Sequence, residues 1–135
     1  MSLTFENLRV DGLHGSTLAD YLSGIEADLQ LLDGAQVIYE EPSFPVCELA
    51  RALRQWIRSG AEEDFVFESM SFEESGVVTI ERRPDGWVFR SVFTPEVESS
   101  VTPWSEVERS VLAFTSELRS DLASAGIDAD YVIGR

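Results

Sequence analysis

Alternating apolar and polar positions dominate the first third of the chain and predict β-structure there. Residues Ile25 to Leu31 alternate strictly, which favours a half-buried strand because successive strand side chains point to opposite faces. Asp33-Gly34 supplies a tight turn, and Gln36 to Glu41 returns as the second strand of a hairpin. Residues Leu3 to Val10 predict an earlier strand. We therefore expect three strands before the first long helix.

The stretch from Glu40 to Ile57 then takes the chain from strand to helix. We expect Pro42 and Pro45 to end the hairpin and begin the helix, since the fixed φ of proline suits a first helical turn better than a strand interior. The apolar face of this helix consists of Val46, Leu49, Ala52, Leu53, Trp56 and Ile57. The outward face carries a basic stripe, which we expect to be solvated and paired with nearby carboxylates: Arg51, Arg54 and Arg58.

Three further apolar segments predict a β-meander between the two helices. They run from Phe65 to Glu73, from Val77 to Arg83 and from Trp87 to Phe93. Glycine-containing turns join them, and bulged turns would set Arg83 opposite Trp87. One face of the meander would then be aromatic, with Phe65, Phe67, Trp87, Phe89 and Phe93 among Ser69, Thr79, Glu81 and Arg83. We expect a helix to cover this face.

An apolar stripe about five helical turns long predicts one long helix near the end of the chain. Thr102 and Pro103 are its expected cap and first residue, and Gly126 ends it; the stripe consists of Trp104, Val107, Val111, Phe114, Leu118 and Leu122. The segment from Tyr131 to Ile133 is expected to add an edge strand. Together these elements predict a single α+β domain over residues 1–135. It has a mainly antiparallel sheet of about six strands and two main helices, in the order β-β-β-α-β-β-β-α.

Charge is the strongest global property of the chain. Asp and Glu number 25 against 10 basic residues, all of them arginine, for a formal net charge of -15. Such a surface repels phosphate backbones and anionic membranes and attracts basic proteins, so we expect a basic protein as partner and neither nucleic acid nor membrane. Acidity that serves only solubility is the alternative. The chain lacks a secretory signal and a membrane-length apolar run, which predicts a cytoplasmic protein.

No constellation of residues indicates catalysis. A nucleophile needs a positioned base, and the one histidine, His14, lies in a glycine-flanked loop with nothing to place it beside Cys47. One histidine and one cysteine are too few ligands for zinc, and no phosphate-binding glycine loop or calcium loop is present. We therefore predict no catalytic residue, no metal site and no cofactor. We expect Cys47 to be a small buried hydrophobe.

Acidic residues at turns are the candidate contacts for a basic partner, with one aromatic residue as anchor. These candidates are Glu40, Glu41, Glu62, Glu63, Asp64, Glu73, Glu74, Trp87, Glu96 and Glu98. Acids are common at the turns of any globular protein, so ordinary solvated turns remain the alternative interpretation.

Two resemblances bear on function. The strand-to-helix stretch resembles a pattern in small uncharacterised actinobacterial proteins through Glu41-Pro42-Ser43-Phe44-Pro45-Val46, followed by Glu48-Leu49-Ala50, Leu53 and Trp56. In size, acidity and α+β pattern the chain is also similar to immunity proteins of bacterial polymorphic toxin systems. The second resemblance implies a non-enzymatic domain that binds and neutralises a basic toxin.

Two other functions remain open at this stage. A small-molecule-binding domain or enzyme could use the sheet and the first helix as a pocket, with Glu41, Glu48 or Glu68 beside Arg82. Homodimerisation could instead be the main role of the domain, which leaves the oligomeric state undecided.

Overall fold

Six strands and four helices make up the fold of the computed structural model, which describes all of residues 1–135. The strands are β1 (Ser2–Arg9), β2 (Glu26–Asp33), β3 (Gln36–Phe44), β4 (Phe65–Val66), β5 (Thr79–Arg83) and β6 (Gly86–Arg90). The helices are α1 (Leu18–Gly24), α2 (Val46–Arg58), α3 (Trp104–Ser124) and α4 (Ala129–Ile133). None of these helices combines the length and apolar character needed to cross a bilayer.

Strands β1, β2 and β3 form the first sheet, in that order and antiparallel throughout. The strict alternation of β2 places its apolar residues on one buried face, as predicted. The inner face of the sheet holds Leu3, Phe5, Ala27, Leu29, Leu31 and Tyr39, all buried. A bulge at Ile38 buries both Ile38 and Tyr39. β3 continues through Pro42, which this strand tolerates because it lies at the edge of the sheet beside a second irregularity.

Strands β4, β5 and β6 form a second antiparallel sheet. The predicted register between β5 and β6 is wrong by a single residue. Arg82, not Arg83, lies opposite Trp87, because Arg83 pairs with Gly86 across a two-residue turn without a bulge. Since a shift by one residue exchanges the two faces of a strand, Ile80 and Arg82 lie on the aromatic face. The predicted members Thr79, Glu81 and Arg83 lie on the opposite face.

The first strand of the predicted meander is shorter than its apolar pattern indicates. β4 ends at Val66, and the segment up to Glu73 is a loop. Tertiary contacts hold this loop, because the hydroxyl of Ser69 and the backbone N–H of Met70 both donate hydrogen bonds to the Glu48 carboxylate on α2. The backbone of this loop is therefore satisfied by a helix instead of a neighbouring strand.

Helices α2 and α3 pack together and bury their predicted apolar stripes in one core that both sheets share. Phe5 of the first sheet packs edge to face on Phe114 of α3, with ring centroids 5.8 Å apart. On the second sheet, Phe65 and Trp87 pack against Trp56 of α2. Helix α2 therefore covers Phe65 and Trp87, as expected, whereas Phe67 packs on Phe44 of β3 and Phe93 is 43% exposed.

The end of the chain is helical, so the predicted edge strand at Tyr131 to Ile133 is wrong. α4 starts after Asp128, whose side chain accepts a hydrogen bond from the backbone N–H of Asp130. Its last carbonyls are bound by Arg51 of α2, which donates to Val132 at 3.2 Å. At the start of α3 the expected cap is also replaced: Thr102 pairs with Trp87 instead, and Pro103 occupies the cap position.

The α+β class, the six antiparallel strands and the two main helices are confirmed. The strands divide into two sheets of three, with α2 between them in sequence. Because α2 and α3 occupy the inner side of the first sheet, its outer face is left without a covering element.

Candidate protein-binding groove on the outer face of the first sheet

A groove crosses the uncovered face of the first sheet, between two rows of side chains. In register, Thr4, Gln30 and Glu40 form one row across the three strands. Glu6 and Asp28 form the second row, which Pro42 completes on β3. Phe5, Leu29 and Glu41 lie between these rows, directly opposite one another on the three strands. Their side chains point to the other face of the sheet, so their backbone forms the floor of the groove. The groove has a volume of about 380 Å³.

Carboxylates dominate the walls of this groove. Glu6 and Asp28 occupy directly opposed positions on neighbouring strands, an arrangement that is unfavourable for like charges. Glu40 stands in the other row and accepts a hydrogen bond of 3.2 Å from the side-chain amide of Gln30. The groove therefore presents hydrogen-bond acceptors and negative charge to whatever enters it.

One arginine partly balances this charge at the edge of the groove. The side-chain amide of Asn7 donates to Asp28 at 2.8 Å, and Arg9 donates to the same carboxylate at 3.2 Å. The hydrogen bond from Asn7, with the hydrogen bond and charge of Arg9, lowers the pKa of Asp28 despite an opposing contribution from desolvation. Arg9 also donates to the carbonyl of Pro42 at 2.6 Å, which ties β1 to β3 across the sheet.

The local sequence of β1 explains how these two partners reach Asp28. Asn7 adopts a positive φ of 58°, a conformation that asparagine tolerates better than most residues. The register of β1 against β2 shifts between Glu6 and Arg9 at this point, so that Arg9 pairs with Glu26. The bulge therefore lets Asn7 bind one oxygen of the Asp28 carboxylate and Arg9 the other.

The structure brings together only two of the acids proposed from the sequence. Glu40 stands in a wall of the groove, and Glu41 contributes to its floor. The others are exposed at separate places: Glu62, Glu63 and Asp64 after α2, Glu73 and Glu74 in the loop after β4, and Glu96 and Glu98 after β6. Two of these have structural partners, since Asp64 accepts a hydrogen bond of 2.9 Å from the backbone of Arg82 and Glu98 pairs with Arg83 and Arg90.

Trp87, the proposed aromatic anchor, is a core residue. Only 6% of its surface is exposed, and its ring packs on Trp56 and Trp104. Arg82 lies over the same ring, with its guanidinium carbon 5.9 Å from the ring centroid. A partner could not contact the indole broadly without displacing these neighbours.

The groove residues that sequence reasoning missed are Thr4, Glu6, Asp28 and Gln30. They are the polar members of the two alternating strands, and the alternation by itself assigns them to the outer face. The candidates predicted from the sequence were acids at turns, because loops are the usual places for binding residues. The alternation of β1 and β2 assigns Glu6 and Asp28 to one face, but only the register of the two strands sets them opposite each other.

The residues of the predicted sheet-and-helix pocket point to different places. Glu48 binds the loop at Ser69 and Met70, whereas Glu68 accepts a hydrogen bond of 3.2 Å from Ser75. Arg82 lies over Trp87, and Glu41 lies at the groove. Of these four residues, only Glu41 lines the groove.

Cys47 is buried, as its sequence environment predicts. Its side chain is enclosed at the start of α2, and burial raises the pKa of the Cys47 thiol to about 12. His14 lies exposed in the loop between β1 and α1. The thiol is therefore protonated at neutral pH and is closed off from the histidine.

The fold and the groove together define an α+β domain of two three-stranded antiparallel sheets with an acidic groove on one uncovered sheet face. The chain belongs to the DUF7878 family, a domain of unknown function, which matches residues 1–124 and so ends with the last residue of α3. Comparisons of the sequence with curated proteins and with solved structures gave no match.

Proposed function

We propose that this domain is a non-enzymatic protein-binding module that recognises a basic partner through the groove on the first sheet. The observation that carries the proposal is the row formed by Glu6 and Asp28, opposed across two strands on an uncovered face of a chain with a net charge of -15. Arg9 already pairs with Asp28, and a further cation in the groove would relieve the charge that remains on Glu6 and Glu40. The net charge steers a basic protein toward this surface.

The dimensions of the groove support an arginine or lysine side chain as the group that enters it. Alternate residues along a strand are about 6.5 to 7 Å apart, which is the spacing of the two walls. A guanidinium or ammonium group lying over the backbone floor would meet Asp28 and Glu6 on one side and Glu40 on the other. Arginine gains most from this arrangement, because its planar group forms paired hydrogen bonds with carboxylates.

In its most concrete form, the module is an immunity-like inhibitor that covers the cationic cleft of a basic toxin in the cytoplasm of a bacterium. The similarity in size, acidity and α+β pattern to immunity proteins supports this assignment. The groove lies on an open sheet face with polar walls, which suits contact with another protein's surface more than enclosure of a small molecule.

A titration with a short arginine-rich peptide tests the groove directly. We expect the side-chain amide signals of Gln30 and Asn7 to shift in an NMR spectrum, because Gln30 stands in one wall and Asn7 binds the Asp28 carboxylate. A triple variant, Glu6→Gln with Asp28→Asn and Glu40→Gln, should lose the response. The matched control, Glu62→Gln with Glu73→Gln and Glu74→Gln, removes the same charge from exposed acids elsewhere and should keep it.

Affinity purification from the encoding organism then tests the partner class, at low and at physiological salt. The groove variant should fail to retain a basic protein that both the wild-type chain and the charge-matched control retain. Equal loss in both variants would mean that bulk charge, and not the groove, governs binding. Recovery of no basic protein at either salt concentration would refute the proposed function.

A further inference from the structure

Five of the ten arginines pair with no carboxylate, and three of these lie on α2, namely Arg51, Arg54 and Arg58. Five arginines pair with carboxylates within 4.0 Å, namely Arg9, Arg83, Arg90, Arg109 and Arg119. Arg51 donates to the carbonyls of Tyr131 and Val132. Arg54 and Arg58, one helical turn apart on the same face of α2, form neither an ion pair nor a hydrogen bond.

Arg54 is the less favourably placed of the two. Its Nε atom is buried without a hydrogen-bond partner, beside the backbone of Gly134. Burial, together with the nearby positive charges of Arg58 and Arg119, lowers the pKa of Arg54 from its usual value. The charge of Asp130 acts in the opposite direction, but Arg119 already binds that carboxylate at 2.8 Å. The positive charge at Arg54 is therefore only partly compensated.

A small cavity of about 50 Å³ adjoins these arginines in the seam between α2 and α3. Ile57, Val111 and Leu112 give it apolar walls, and half of the surface of Leu112 is exposed. The Thr115 hydroxyl, also in the lining, donates its hydrogen to carbonyls of its own helix and accepts no hydrogen bond from either arginine. The seam thus combines two free guanidinium groups with an apolar wall and has room for only a few atoms.

We propose that this seam binds a carboxylate carried on a short aliphatic stem. The carboxylate accepts charge-assisted hydrogen bonds from Arg54 and Arg58, while the stem packs on Leu112 and Val111. Inorganic phosphate has no apolar part to complement Leu112, whereas an aliphatic stem can extend from the cavity along the exposed surface of that residue. The carboxylate comes either from a free short-chain acid or from a glutamate beside an apolar residue in a peptide. The site is independent of the acidic groove, which lies on the opposite side of the first sheet.

NMR titrations of the whole chain with hexanoate, acetate, inorganic phosphate and a short peptide containing Glu-Leu test this site. Hexanoate or the peptide should shift the Arg54 Nε–Hε signal and the Leu112 methyl signals saturably and more tightly than acetate or phosphate. A tighter response to hexanoate identifies a free acid as the source, and a tighter response to the peptide identifies a protein segment. Phosphate binding as tightly as hexanoate, or no saturable shift with any probe, would overturn the proposal.

Single variants separate the site from a general effect of charge. Arg54→Gln and Arg58→Gln should each weaken the tighter probe at least about tenfold, the loss expected for a charge-assisted hydrogen bond. Arg109→Gln is the control, because Arg109 lies on α3 outside the lining of the cavity, is 75% exposed and pairs with Glu106. Arg58 is exposed, so its variant keeps the test valid if Arg54→Gln impairs folding. Equal weakening by Arg109→Gln would show that net charge alone attracts the probe.

Discussion

The indole rings of Trp56 on α2 and Trp87 on β6 meet edge to face, with centroids 5.5 Å apart and planes at 82°. Trp104 of α3 closes a triangle, at 5.5 Å from Trp56 and 5.4 Å from Trp87. These are the three tryptophans of the chain. The Trp56 indole also donates a hydrogen bond of 2.8 Å to the carbonyl of Glu63. The second sheet is therefore tied to both long helices through one aromatic cluster.

Trp87→Ala should destabilise the fold severely. Truncating a buried aromatic residue leaves a cavity and costs about 3 to 5 kcal/mol, of which the lost ring contacts are part. Urea unfolding followed by circular dichroism measures the change. Phe93→Ala is a suitable control because 43% of Phe93 is exposed, and it should cost clearly less. Equal losses in the two variants would mean that the tryptophan triangle does not anchor the second sheet.

Gly86→Ala should be much more harmful than Gly34→Ala, although both glycines have positive φ. A Cβ atom on Gly34 would meet nothing within 4 Å, so only the backbone conformation opposes alanine there, at about 1 kcal/mol. A Cβ atom on Gly86 would lie 2.6 Å from the Thr102 carbonyl oxygen, on the segment that pairs with Trp87. We expect the melting temperature to fall further for Gly86→Ala. Similar values would contradict the close approach of these two segments.

Glu81→Gln should reduce the free energy of unfolding at neutral pH by about 1 kcal/mol, which is typical of the loss of hydrogen bonds to a partly exposed charged group. Glu81 pairs with Arg83 at 3.1 Å and Arg90 at 3.5 Å, and both arginines also contact Glu98. Desolvation raises the pKa of Glu81, but the hydrogen bonds from Arg83 and Thr79 and the charges of Arg90 and Arg83 outweigh it, so the pKa is lowered.

The pH dependence of this variant has a definite sign. Because the folded-state pKa of Glu81 lies below the unfolded value, its contribution is fully present above the unfolded pKa and is lost as pH falls through the folded one. The difference between wild type and Glu81→Gln should therefore be greatest near neutral pH and disappear in strong acid. Urea titrations at several pH values measure it, with Glu74→Gln as the exposed control. A difference that grows in acid would contradict the ion-pair geometry.

Cys47 should resist thiol reagents in the folded protein. The thiol is buried, and its pKa of about 12 leaves very little reactive thiolate at neutral pH. Labelling with a maleimide, followed by mass spectrometry, should be slow in buffer and fast in concentrated urea. Rapid labelling of the native chain would show that the start of α2 opens to solvent.

Local patterns determined much of this fold. The strict alternation of β2 predicted a strand with one buried face, and the stripe from Val107 to Leu122 predicted α3. In each case a single long element carries enough repeats for its hydrophobic period to be read from neighbouring residues alone. The burial of Cys47 followed for the same reason, since apolar positions of α2 surround it.

The candidate groove was only half predictable. Its outward residues follow from the alternation of β1 and β2, but that Glu6 and Asp28 face each other depends on register. The bulge that brings Arg9 to Asp28 breaks the alternation of β1, so that Leu8 and not Asn7 packs against the core after Phe5. Glu40 was singled out as a turn acid, whereas its place in a wall comes from pairing with Gln30.

By itself the sequence determined the class of the fold, the two long helices, the buried face of β2 and the acidity of the surface. Tertiary structure decided the register that sets Arg82 against Trp87, the division into two sheets, and the helical form of residues 129–133. The physical reason is the range of the interactions. The hydrophobic period of a long element is visible among neighbouring residues, whereas the conformation of a short segment depends on contacts and hydrogen bonds from residues far away in the chain. Arg51 shows this, since it binds the carbonyl of Val132 from 81 positions away in the chain.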